Sequence, residues 1–75
     1  MRLSEYRALA DEVFGSHLAR AYERDTVLTE LGGLTALEAF ESDVPVREVW
    51  VALCDAHDVP ERLRWESQKD AKKRR

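Results

Sequence analysis

The chain has a single cysteine, Cys54, so no disulfide can form within it. No apolar run approaches the roughly 20 residues that a membrane-spanning helix needs. The opening Met1-Arg2-Leu3-Ser4-Glu5 contains no apolar stretch of the kind a secretory signal requires, so a cytoplasmic location is the expectation. Nowhere do apolar and polar residues alternate at the period of two that marks a half-buried strand. Gly32-Gly33 lacks the further glycines and the lysine of a phosphate-binding loop, and it reads as a helix stop. Positive charge is scarce over residues 1–60, where five arginines face twelve acids, a balance of −7. Phosphate contacts need cationic side chains, so this body is a poor general polyanion binder.

What remains is the inventory of one small soluble domain. Of 75 residues, 44% are apolar and 36% charged, which argues against wholesale disorder. From Glu66 onward there is no large apolar residue, so residues 1–65 are expected to pack and residues 66–75 to form a basic, solvated, disordered tail. A domain of that size buries only about 60% of its chain surface and is marginally stable.

Helical punctuation is legible along the whole packed part. Ser4 is the expected cap of a first helix that ends at Gly15, with Tyr6, Leu9, Ala10, Val13 and Phe14 on one apolar face. Ser16 is expected to cap a second helix running to about Leu31, with a weak point at Asp25-Thr26. Thr35-Ala36-Leu37-Glu38 has the form of a capping box and opens a short third helix. Pro45 then fits the first position of a fourth, whose Val46, Val49, Trp50, Leu53, Cys54 and His57 show the strongest helical period in the chain. Asp58-Val59-Pro60 repeats the turn Asp43-Val44-Pro45 and opens a short fifth helix. The expected fold is therefore all-α, a compact bundle of four to five short helices. Its core is assigned to Tyr6, Leu9, Val13, Phe14, Leu18, Leu28, Leu31, Leu37, Phe40, Val49, Trp50 and Leu53.

Residues 35–57 read as a helix-turn-helix-like corner. Ala39 stands where the axes cross, Asp43 in the turn, Val44 just after it, and Val49 and Leu53 on the packed face. A recognition helix must donate to bases and phosphates, yet the outward candidates supply one cation, Arg47, against Glu48, with Glu38 and Glu41 nearby. Packing is the favoured reading of this corner.

No constellation reads as catalytic, and no enzyme or cofactor is expected. Cys54 and His57 share a helix face at i, i+3, and His17 or an acid is the only candidate third ligand. A structural zinc takes four ligands drawn largely from Cys and His; a core thiol beside an imidazole is the simpler reading. As a nucleophile pair they lack an orienting third group.

The wording of the chain also carries a resemblance. Phe14-Gly15, Leu31-Gly32-Gly33 with Thr35-Ala36, Val44-Pro45, Arg47-Glu48-Val49-Trp50, Ala52-Leu53-Cys54-Asp55-Ala56, Asp58-Val59-Pro60 and Arg64-Trp65 follow in that order. In these segments the chain resembles a family of short actinobacterial proteins catalogued as a domain of unknown function, over residues 1–65. The resemblance implies an all-helical cytoplasmic protein. Members tend to be encoded near genes of the recombinase and its regulator, which makes a DNA-repair accessory role an implied alternative.

The leading functional expectation is a non-enzymatic module that binds a protein partner. Trp50, Val51, Trp65 and Tyr22 exceed what a 65-residue core needs, and those left outside would form an anchor patch. Trp65 is otherwise expected to fold back and close the core. The alternative is weak DNA binding through the corner, with Arg47, Lys69, Lys72, Lys73, Arg74 and Arg75 as contacts; the acidic body disfavours it. No membrane partner is expected.

Overall fold

Helix α1 (Leu3–Phe14) starts two residues earlier than its hydroxyl suggested. Arg2 is the capping residue and its backbone N–H donates to Glu5 Oε1 at 2.8 Å, so the carboxylate three residues on does the work expected of Ser4. The computed structural model describes residues 1–65. Within them five helices and no strand are found, in the order α1, α2 (Ser16–Asp25), α3 (Ala36–Glu41), α4 (Val46–Ala56) and α5 (Glu61–Arg64). No helix among the described residues is long and apolar enough to cross a membrane.

Gly15 joins α1 to α2 without a spacer. Its φ of 85° lies in the left-handed half of the map, where a Cβ is strained, so the chain reverses within a single residue. Helix α2 then ends at Asp25, six residues short of the expected Leu31. The Asp25-Thr26 weak point is a true terminus. Beyond it the backbone closes a small loop: Leu28 N donates to Leu34 O at 2.8 Å, and a 3-10 turn (Thr29–Leu31) fills the interior. Gly32, with φ 78° and ψ 20°, ends that turn in the left-handed conformation.

The third helix is the one the sequence specified most fully. Thr35 Oγ1 accepts from Glu38 N at 3.2 Å while Glu38 Oε1 accepts from Thr35 N at 2.9 Å, the reciprocal pair of a capping box. Helices α3 and α4 end in the same way. Asp43 (φ 62°) and Asp58 (φ 54°) take the left-handed position, and the next residue donates back across the last turn. These bonds are Val44 N to Ala39 O and Val59 N to Cys54 O, both at 3.0 Å. The paired Val-Pro segments are two copies of one helix stop. In each, the proline caps the following helix rather than occupying its first turn.

The core departs from expectation in two places. Leu18 and Leu37 are 47% and 40% exposed. On α2 the buried positions are Ala19 and Glu23, so the helix is turned by about one residue from the face its leucine marked. Ala19 lets α2 approach its neighbours closely, and Glu23 goes inside because Arg7 on α1 reaches it at 3.4 Å. On α3, only six residues long, the inner face is taken by Ala36 and Ala39, with Phe40 packed beside them.

At the centre stands Trp50, fully buried, edge-on to Tyr6 at 5.7 Å and to Phe14 at 6.1 Å. Tyr6 in turn meets Phe40 at 5.2 Å, and Phe14 meets Tyr22 at 5.1 Å. This aromatic chain ties α1 to α2, α3 and α4. Leu9, Val13, Leu31, Leu34, Val44 and Leu63 pack around it half-buried.

Candidate interaction surface

Trp50 is a core residue, and its proposed place on an exposed anchor patch is corrected. Its indole N–H donates to the carbonyl of Arg64 at 2.7 Å, so it also fastens α5 to α4. Arg64 completes that fastening. Its Nε donates to Val59 O at 2.9 Å and its Nη1 lies 2.7 Å from Asp55 Oδ1. Short α5, with no buried residue of its own, is held by these polar contacts. They fix the exit direction of Trp65.

Trp65 does not close the core. It is 39% exposed, and the Arg47 guanidinium lies over its ring at 4.8 Å from the centroid. Such cation–π contacts contribute about 0.5–1 kcal/mol at exposed sites. Arg47 belongs to the first turn of α4 and lines a groove of about 300 Å³. The other walls are Glu30 and Leu31 of the 3-10 turn and Glu48, Val51 and Ala52 of α4. The i, i+1, i+4, i+5 spacing of Arg47, Glu48, Val51 and Ala52 marks one strip of α4, beside the strip that buries Val49, Trp50 and Leu53. That half of the groove is legible from the helical period alone. The other half is not, because Glu30 and Leu31 arrive through the loop that the Leu28–Leu34 pairing closes.

Of the four expected interface residues, the fold thus brings Val51 and Trp65 onto the Arg47 side of α4. Tyr22 goes elsewhere. It is half-buried and stacks on the His57 ring, with centroids 3.9 Å apart and planes at 23°. His57 Nε2 shares a hydrogen bond with Thr26 Oγ1 at 3.0 Å.

Of the candidate metal pair, Cys54 is fully buried and His57 Nε2 is engaged with Thr26. Among the described residues no group of three or more His, Cys, Asp or Glu side chains is gathered as for a metal ion. Burial, opposed only partly by Arg64, pushes the Cys54 thiol from its ordinary 9.0 up to about 12. A thiolate nucleophile is disfavoured there.

That shift has a consequence for stability. The unfolded thiol ionises near 9 and the folded one near 12, so the folded state holds the extra proton between those values. Stability from this group is fully present below pH 9 and is lost as pH rises toward 12. Tyr6 adds a loss above its ordinary 10.0, since burial, with the nearby Glu23 carboxylate second, raises its ionisation too. Chemical denaturation of Cys54→Ala should therefore lose the decline between pH 9 and 10 and show a shallower decline above it, where Tyr6 still contributes. An unchanged slope between 9 and 10 would show that the thiol does not ionise on unfolding in that range.

The cations of the body are largely engaged. Arg7, Arg20, Arg24 and Arg64 each lie within 3.4 Å of an acid, and Arg47 lies over Trp65. On the α3–turn–α4 corner, Ala39, Val49 and Leu53 are buried and Val44 is half-buried, the placement that a packed corner requires. Lys69, Lys72, Lys73, Arg74 and Arg75 lie outside the described residues.

A family model described as "Protein of unknown function (DUF3046)" matches residues 1–62. The chain belongs to this family. The match takes in α1 to α4 and the start of α5, and it ends before Arg64 and Trp65. Within the DUF3046 chain the 3-10 turn and α4, hence every wall of the groove, fall inside the matched region. No curated protein and no solved structure matches the chain.

Proposed function

We propose that this DUF3046 protein is a non-enzymatic module that binds a protein partner through the face formed by the 3-10 turn, α4 and Trp65. The observation that carries the reading is the joining of an open groove with an exposed indole through Arg47, which touches both. Tryptophan and arginine are the residues most enriched at the energetic centres of protein interfaces. Here the backbone just before Trp65 is tied through Arg64 to Asp55, Val59 and Trp50, and the Arg47 guanidinium lies over the indole. Pre-positioning lowers the ordering cost of association.

A second reading, weak DNA binding, draws on the α3–turn–α4 corner and the cationic run after Lys69. It has less support, because Arg47 is engaged with Trp65 and the neighbouring Glu48 is acidic. One experiment separates the two. The tagged full-length chain and its Val51→Asp variant are recovered from cell extract, each with and without nuclease. A stoichiometric protein that survives nuclease and is lost by Val51→Asp is the expected result. Association that disappears on nuclease treatment supports the DNA reading and overturns the proposal. Circular dichroism checks that Val51→Asp, a half-buried site at the groove wall, leaves the helices intact.

A further inference from the structure

We infer that the groove between the 3-10 turn and α4 seats a basic segment of the partner that inserts one aliphatic side chain. The inference deepens the protein-binding reading above and rests on it. Leu31, Val51 and Ala52 supply the apolar surface of the groove, while Glu30 and Glu48 bring carboxylates to it from two different elements. Among the described residues, neither of these two acids is in an ion pair, although Asp11, Glu23, Asp25 and Asp55 each have an arginine. The one cation at the groove, Arg47, has its guanidinium drawn over Trp65.

The wider field has the same sign. Seven arginines against thirteen acids over residues 1–65 give a balance of −6, which attracts a cationic segment before contact and repels an anionic one. Anchoring requires more than charge. A groove of about 300 Å³ is at the small end of ligand sites, with room for an aliphatic side chain but not for a large ligand. The chain's own cationic run, Lys69 to Arg75, offers charge but no large apolar residue, so it lacks the anchor. An amphipathic basic helix meets both requirements, placing an aliphatic residue and its flanking Lys or Arg on one face at i, i+3 and i+4.

The test uses the full-length, isotope-labelled chain and three synthetic helical peptides. One carries leucine flanked by lysine and arginine, the second has glutamate in place of the basic residues, and the third has serine in place of leucine. For the first peptide, amide shifts should centre on Glu30, Leu31, Val51 and Ala52, and affinity should fall steeply with salt. The charge-reversing variant Glu30→Lys/Glu48→Lys should weaken that binding by at least about tenfold, and the serine peptide should bind weaker by a similar factor. Both acids are exposed, so the variant is expected to fold. Equal binding of the glutamate peptide, shifts scattered away from the groove, or no saturable binding of the first peptide would each overturn the inference. A nuclease-resistant, Val51-dependent partner whose contact segment is not basic would also overturn it, while leaving the protein-binding reading in place. Loss of that partner altogether is the separate failure of the parent reading.

Discussion

Trp50→Ala is expected to remove a large part of the folding stability. The side chain is fully buried against Tyr6 and Phe14, and truncating a buried tryptophan costs about 3–5 kcal/mol. A domain of this size has roughly 3–10 kcal/mol in total. Two effects coincide at this position, since the same residue also holds the carbonyl of Arg64. Trp50→Phe separates them: it keeps a buried ring, loses the N–H donor, and should cost about 1–2 kcal/mol. Its distinctive signature is local. Amide exchange at Leu63 to Trp65 should accelerate more than at α1, because the lost N–H bonds directly to the carbonyl of Arg64. If Trp50→Phe speeds exchange uniformly across the chain, the indole serves as core filler and the fastening of α5 is not its role.

Valine at both Asp43 and Asp58 should cost about 2–6 kcal/mol, a second change of the order of the whole stability. Each aspartate sits at positive φ with the following N–H tied back across the helix end, and a β-branched residue pays about 1–3 kcal/mol to hold that conformation. Glycine should act in the opposite direction. It removes the Cβ strain and takes a negative charge away from the negative end of a helix, offset by a larger unfolded-state entropy. The net gain is expected to be about 0–1 kcal/mol per site, and the two sites, at opposite ends of α4, should add. Denaturant midpoints of the four single variants and two doubles measure this. A clear loss of stability for Asp58→Gly would mean that its carboxylate makes a contact that outweighs the strain.

These two positions also show how much could be read in advance. The turn at Asp43 was legible because aspartate is among the few residues that tolerate positive φ and because Pro45 opens a new helix two residues on. Thr35 with Glu38 was equally legible, since a capping box is satisfied within four residues. Leu18 and Leu37 misled for the opposite reason. Their apolar character fits an inner face, but which strip of a short helix faces inward depends on what the neighbours offer. For α2 the neighbour offered Arg7, and a carboxylate was buried in place of a leucine. The same limit applies to the candidate surface. Arg47, Val51 and Trp65 stood out as residues, yet only folding sets Arg47 over Trp65 and brings Glu30 and Leu31 to face α4.

The sequence by itself determined the helical class, the stops at Gly15 and the two aspartates, the capping box and the acidic character of the body. Each of these is settled by forces that act within a few residues or by composition alone. Tertiary structure decided that Trp50 is central and Trp65 peripheral, that Glu23 is buried, and that a groove exists between the 3-10 turn and α4. Two tryptophans have the same burial preference as isolated side chains. What separates them is that Trp50 lies mid-helix, reachable from α1 and from Arg64, whereas Trp65 follows the last turn of α5 and lies half open to solvent beneath Arg47.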